Sequence, residues 1–162
     1  TEQIVQYLLS EDGWESLSGT ISIHPENTST SWQSPETYLG TARRENMLLA
    51  WEKLTSNTWS LKGDWDQNEE SIIAKKNAKL SFVYNARDVY LVLSGSGTVT
   101  VRVNGERVDT IGISGKDSKL GIVDVDKDTL YHLVHEKDFQ KDRLLELEFS
   151  PGIWAFAFTF GG

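Results

Sequence analysis

The sequence predicts an all-β fold, an antiparallel β-sandwich of jelly-roll type, with one short helix at its N-terminus. Three observations predict it. From Thr58 onward apolar residues recur at every second position, turn residues punctuate those runs at short intervals, and no long segment of helical period interrupts them.

The elements follow in chain order. TEQIVQYLLSEDG sets Ile4, Val5, Leu8 and Leu9 at helical spacing and stops before Gly13, which predicts a short amphipathic helix over residues 1–12. So short a helix needs a partner surface, and it is assigned as the terminal helix of an upstream domain. Residues 13–33, rich in Ser, Thr and Asn, read as an extended connector, and residues 34–162 as the module proper. A helical turn is expected over Asn46–Trp51. LSFVYNA alternates Leu80, Phe82 and Tyr84 with Ser81, Val83 and Asn85, and VYLVL follows as a separate strand after a short turn. TVTVRVNGERV places Val99, Val101 and Val103 on one face and turns at Asn104-Gly105, the pair preferred for a type I′ hairpin, so that Val101 meets Val108. LYHLVH, LLELEFS and GIWAFAFTF complete about seven short strands, as sandwiches use. The last has Trp154, Phe156, Phe158 and Phe160 on one face, and Trp59, Trp65 and Trp154 are expected in the core.

The 162 residues suffice for one domain with a substantial core, and a hydrophobic fraction of 38% with six tryptophans argues against disorder. Sixteen basic against 24 acidic residues give a net charge of −8, which repels nucleic acid and anionic bilayers. With no cysteine, the chain holds no disulfide, thiolate metal site or thiol nucleophile. No run approaches the roughly 20 apolar residues of a membrane span, so no membrane insertion by this segment is expected.

Candidate sites are few. Asp124, Asp126 and Asp128 are spaced like the first ligands of a calcium loop, but Thr129 and His135 stand where that loop needs Gly and Glu. They are weak candidates, and no metal or other cofactor is expected. In a regular strand His132 and His135 fall on opposite faces, which argues against a two-histidine metal site. No GxSxG elbow is present, and Glu146 and Glu148 alternate with Leu145, Leu147 and Phe149 as a solvent-facing side does, so no catalytic group is assigned. Sugar binding needs a ring to stack on and polar groups beside it; Trp32 with Gln33, and Tyr131 with Asp128, are the candidate contacts. PETYLG reads as an architectural clamp between linker and domain, with Pro35, Glu36, Tyr38, Gly40 and Arg43 as its working residues.

SPETYLGTARREN at 34–46, WSLKGDW at 59–65, AKLSFVYNARDVYLVL, LYHLV and the closing GIWAFAFTFG together resemble the C-terminal module of DipZ-type proteins, which are extracytoplasmic thiol-disulfide proteins. The resemblance covers Ser34 to Gly161. It implies a carbohydrate-binding-like, galactose-binding-like jelly roll carried behind a thioredoxin-like domain, an extracytoplasmic location, and an upstream cysteine pair that this chain lacks. GISGKDSKLGIVDVDKDT departs from the family's loop pattern. Two functions follow as expectations: a non-catalytic accessory module that binds a glycan, or a docking or oligomerisation module with no sugar ligand whose partner is its own thioredoxin-like domain.

Overall fold

A computed structural model describes residues 33–162, so the expected helix at 1–12, the connector up to Trp32 and His24 lie outside the described residues. Eleven strands are present: β1 (Thr37–Tyr38), β2 (Trp59–Lys62), β3 (Trp65–Gln67), β4 (Ile72–Ala74), β5 (Ala78–Ser94) and β6 (Gly97–Val103), then β7 (Glu106–Arg107), β8 (Ser118–Lys119), β9 (Ile122–Val125), β10 (Thr129–Phe149) and β11 (Trp154–Gly161). All strand pairs are antiparallel, and no helix occurs among the described residues.

The spine is a long two-stranded ribbon. LSFVYNA and VYLVL are one continuous strand, β5, and LYHLVH and LLELEFS are likewise one strand, β10, where the sequence suggested four short ones. The two pair from Leu93–Thr129 at one end to Ala78–Phe149 at the other, with register shifts between His132 and Val134 and on either side of Gln140. The first half of β5 takes β2 as its other neighbour (Trp59 opposite Phe82), and the second half takes β11 (Phe160 opposite Val89). β6, β9 and β8 extend the sheet beyond the later half of β10, whereas β4 and β3 extend it beyond β11.

Phe82 and Val89 are seven residues apart on β5, about 23 Å in a straight strand. Yet the ring of Phe82 lies 5.4 Å from that of Phe160, which stands opposite Val89, and 5.1 Å from that of Phe158. The ribbon therefore bends at its irregular registers, and the β2 flank folds over the β11 flank with the core between them. Trp59, Phe82, Tyr84, Phe158, Leu145 and Leu147 are fully buried there.

The hairpin expectation holds. Asn104 and Gly105 both have positive φ, Val103 pairs with Glu106, and Val108 N–H donates to the Val101 carbonyl with both valines buried. Two expectations fail for local reasons. Asn46–Trp51 is no helical turn, because Met47 bridges Trp59 and Leu48 N–H donates to the Trp59 carbonyl, drawing the segment alongside β2. In β11 a register shift between Ala155 and Ala157 turns Phe156 toward Val92 and away from Phe158 and Phe160, and leaves Trp154 40% exposed instead of in the core. Trp65 is partly buried, packed edge-on against Phe149 at 5.1 Å.

Candidate functional site

Among the described residues, a polar cleft of about 450 Å³ is built from the PETYLGTARREN segment, with Pro35–Tyr38 as one wall and Ala42–Asn46 as the other. Its position is set before it begins: Ser34 N–H donates to the Asn85 carbonyl, and the Ser34 hydroxyl accepts from Asn85 N–H and donates to Asn57 Oδ1. Thr37 and Tyr38 then add to the edge of β11 opposite Phe158 and Ala157, and Leu39 is buried. The chain turns at Gly40 against the 68–70 segment, where Thr41 N–H donates to the Asn68 carbonyl and Ala42 N–H to that of Glu69.

Arg44 locks the returning wall. Its guanidinium donates twice to the Leu39 carbonyl, at 2.8 and 3.1 Å, once to Gln67 Oε1 at 2.6 Å, and lies over the Trp59 ring at 5.5 Å. The Trp59 indole N–H in turn donates to the Glu45 carbonyl. These contacts leave Arg43 directed over the Tyr38 ring at 5.0 Å. The Tyr38 hydroxyl donates to Glu36 Oε2 at 3.3 Å, while Glu36 Oε1 is buried with no hydrogen-bond partner.

Burial pushes the Glu36 carboxyl above its ordinary value of 4.5, with the Tyr38 hydrogen bond opposing the shift. Burial, the Glu36 charge and the same hydrogen bond raise the Tyr38 hydroxyl to about 12. A carboxyl whose folded pKa exceeds its unfolded value contributes stability in full below the unfolded pKa, and loses it as pH rises through the folded one. Glu36→Gln should therefore flatten the fall in melting temperature as pH rises from about 4.5 to neutrality. Thermal melts of both chains across that range check it, and parallel curves would refute it.

The remaining sequence-derived candidates stand elsewhere. Tyr131 is buried, and its hydroxyl accepts from the Asp126 and Lys127 amides and donates to the Lys127 carbonyl, so it braces the turn into β10. Asp128, exposed in that turn, accepts from the Ser94 hydroxyl at 2.6 Å. The Gln33 amide donates to the Phe160 carbonyl, and Trp32 lies outside the described residues. Asp124 and Asp126 are exposed, and their carboxylates do not gather with that of Asp128 into a set within 4.8 Å.

One cluster escaped the sequence reading. The register shift between His132 and Val134 cancels the alternation that would have separated the two histidines, and both rings reach Asp88 on β5. His132 Nε2 lies 2.9 Å and His135 Nδ1 2.5 Å from Asp88 Oδ1, while Arg87 Nε donates to Oδ2 at 2.7 Å. Burial raises the Asp88 carboxyl, but the hydrogen bonds from His135, Arg87 and His132 outweigh it and hold the carboxyl below the ordinary 3.8. No sequence signal marks an inserted strand residue, so this convergence was not legible.

Residues 34–161 match the model of the thioredoxin-like C-terminal domain. The chain belongs to that family. Among curated relatives, the DipZ proteins of Mycobacterium bovis and Mycobacterium tuberculosis are each 27% identical to it over 176 residues, a stretch covering 99% of this chain and 24% of each relative. The chain thus spans about a quarter of the length of the relatives it matches. This thioredoxin-like C-terminal domain begins at Ser34, the residue that anchors the cleft, so both the cleft and the Asp88 cluster lie within the family's bounds. The chain is cysteine-free, so any dithiol chemistry of a larger protein would reside outside it. No helix among the described residues is long and apolar enough to cross a membrane.

Proposed function

We propose that the chain is a non-catalytic accessory module, a galactose-binding-like jelly roll carried by an extracytoplasmic thioredoxin-like protein, and that its Pro35–Asn46 cleft binds a glycan. The observation that carries this reading is the makeup of the cleft. It holds one aromatic ring, a buried carboxylate oxygen lacking a partner, and the side chains of Arg43 and Asn46 within one rigid turn. A pyranose offers a flat apolar face for such a ring and hydroxyls for such acceptors and donors. A hydroxyl donated to Glu36 Oε1 would satisfy the cleft's one buried side-chain oxygen left unpaired, worth about 1–3 kcal/mol to a buried acceptor. Trp32 and Gln33, immediately ahead of the cleft in sequence, are the proposed extension of the site from the connector side.

A second reading has its own observation. The cleft is built from the first residues after the connector, and the neighbouring 47–54 segment exposes Leu49 and, at 80%, Trp51. That combination suits docking against an upstream thioredoxin-like domain.

A glycan array followed by calorimetric titration tests the first reading. Saturable binding weakened about tenfold by Tyr38→Ala and by Arg43→Ala, a loss of about 1.4 kcal/mol each, is the expected result. Silence across a broad sugar panel would retire it. Amide shifts around Trp51 on adding the separately expressed thioredoxin-like domain, abolished by Trp51→Ala, would then favour docking.

A further inference from the structure

We propose that Asp88, His132 and His135 form a binding site for a divalent transition cation of the borderline class, such as Zn²⁺. Two imidazoles and one carboxylate are a donor set suited to such ions; Mg²⁺ and Ca²⁺ prefer all-oxygen shells. The three ligand atoms lie within 4.8 Å of one another, and they are the one such set of histidine and acidic side chains among the described residues.

Two of the three side chains, Asp88 and His132, are held in place by contacts outside the cluster. Asp88 is 2% exposed, and Arg87 engages its Oδ2, which leaves Oδ1 turned toward both rings. His132 stacks on Tyr90 with centroids 4.4 Å apart and planes 17° apart, and its backbone N–H donates to Asp117 Oδ2 at 2.8 Å. The His135 side chain is 54% exposed, which gives an ion a path in and leaves room for water at the remaining coordination positions. These contacts orient the Asp88 carboxylate and the His132 ring ahead of any ion.

The ring of His132 carries a specific consequence. The Lys116 amide donates to its Nδ1 at 3.2 Å, so the neutral ring of the metal-free protein keeps its proton on Nε2, facing Asp88. An ion needs the Nε2 lone pair. Binding must therefore move that proton to Nδ1 and give up the long Lys116 contact, which makes the His132 tautomer a direct reporter of ligation.

The test is a calorimetric titration of Zn²⁺ into the whole chain, with the visible absorption of Co²⁺ as a geometry probe. One ion should bind per chain. His135→Ala, which alters an exposed ring, and Asp88→Asn should each weaken binding about 100-fold, and unchanged far-ultraviolet dichroism would show that the variants fold. His24→Ala should leave binding as it was. Ring-nitrogen spectra should show the His132 proton moving from Nε2 to Nδ1 on addition of Zn²⁺. No saturation by about 1 mM Zn²⁺, binding that survives His135→Ala, or a bound ion with the His132 tautomer unmoved would each overturn the site.

Discussion

Trp59→Ala is expected to cost about 3–5 kcal/mol of stability and to abolish the glycan binding proposed for the cleft. Trp59 is fully buried, and its removal deletes the largest side chain that fills the space between the two flanks of the folded sheet. Neighbours on a sheet cannot close such a void without moving the strands. The same residue carries the cleft wall: its ring lies under the Arg44 guanidinium, its indole N–H holds the Glu45 carbonyl, and its backbone pairs with the 46–48 segment. Chemical denaturation measures the first effect, and titration under conditions where the variant remains folded measures the second. Trp59→Phe separates them, since it keeps most of the volume but loses the donor to Glu45, a change of about 1 kcal/mol. A Trp59→Ala chain that denatures at the parental midpoint would show that the core is not organised around this ring.

Gly40→Ala should destabilise the protein by about 1–3 kcal/mol, although adding a methyl to a glycine ordinarily stiffens the unfolded chain and helps. The demand at Gly40 is for space. A Cβ there would lie 2.3 Å from the Glu70 carbonyl carbon and 2.4 Å from the Glu69 oxygen, both backbone atoms that cannot rotate aside. Relief would require the cleft turn to lift off the 68–70 segment, breaking the bonds from Thr41 and Ala42 to Asn68 and Glu69. The measurement is a denaturation midpoint together with amide exchange at Thr41 and Ala42. A neutral or stabilised variant with both amides still protected would contradict the close approach.

The hairpin at Asn104-Gly105 was legible because two independent local signals agree there: alternating valines on the first arm and a residue pair suited to positive φ. The burial of Leu80, Phe82 and Tyr84 followed from alternation in the same way. Two of the failures trace to a single displaced residue. The shift at Phe156 exposed Trp154, and the shift after His132 joined two histidines that strict alternation separates. Such shifts arise where long strands must bend around a core, a property of the assembled sheet and not of the local sequence. The cleft lies between these extremes. PETYLG announced a turn, but only folding showed that Arg44 and Trp59, from outside the motif's obvious residues, give it its shape.

The β5–β10 ribbon also has a kinetic consequence. Because the β2 and β11 flanks both hang on β5, whose other edge is β10, neither half has a complete set of partners until the ribbon has closed, and the domain should fold and unfold in a single step. That closure joins segments far apart in the chain, from Leu93 with Thr129 to Ala78 with Phe149, and its loop entropy must be overcome before most native pairing can form. Refolding on the order of milliseconds to seconds, typical of all-β domains rich in distant contacts, is the corresponding timescale.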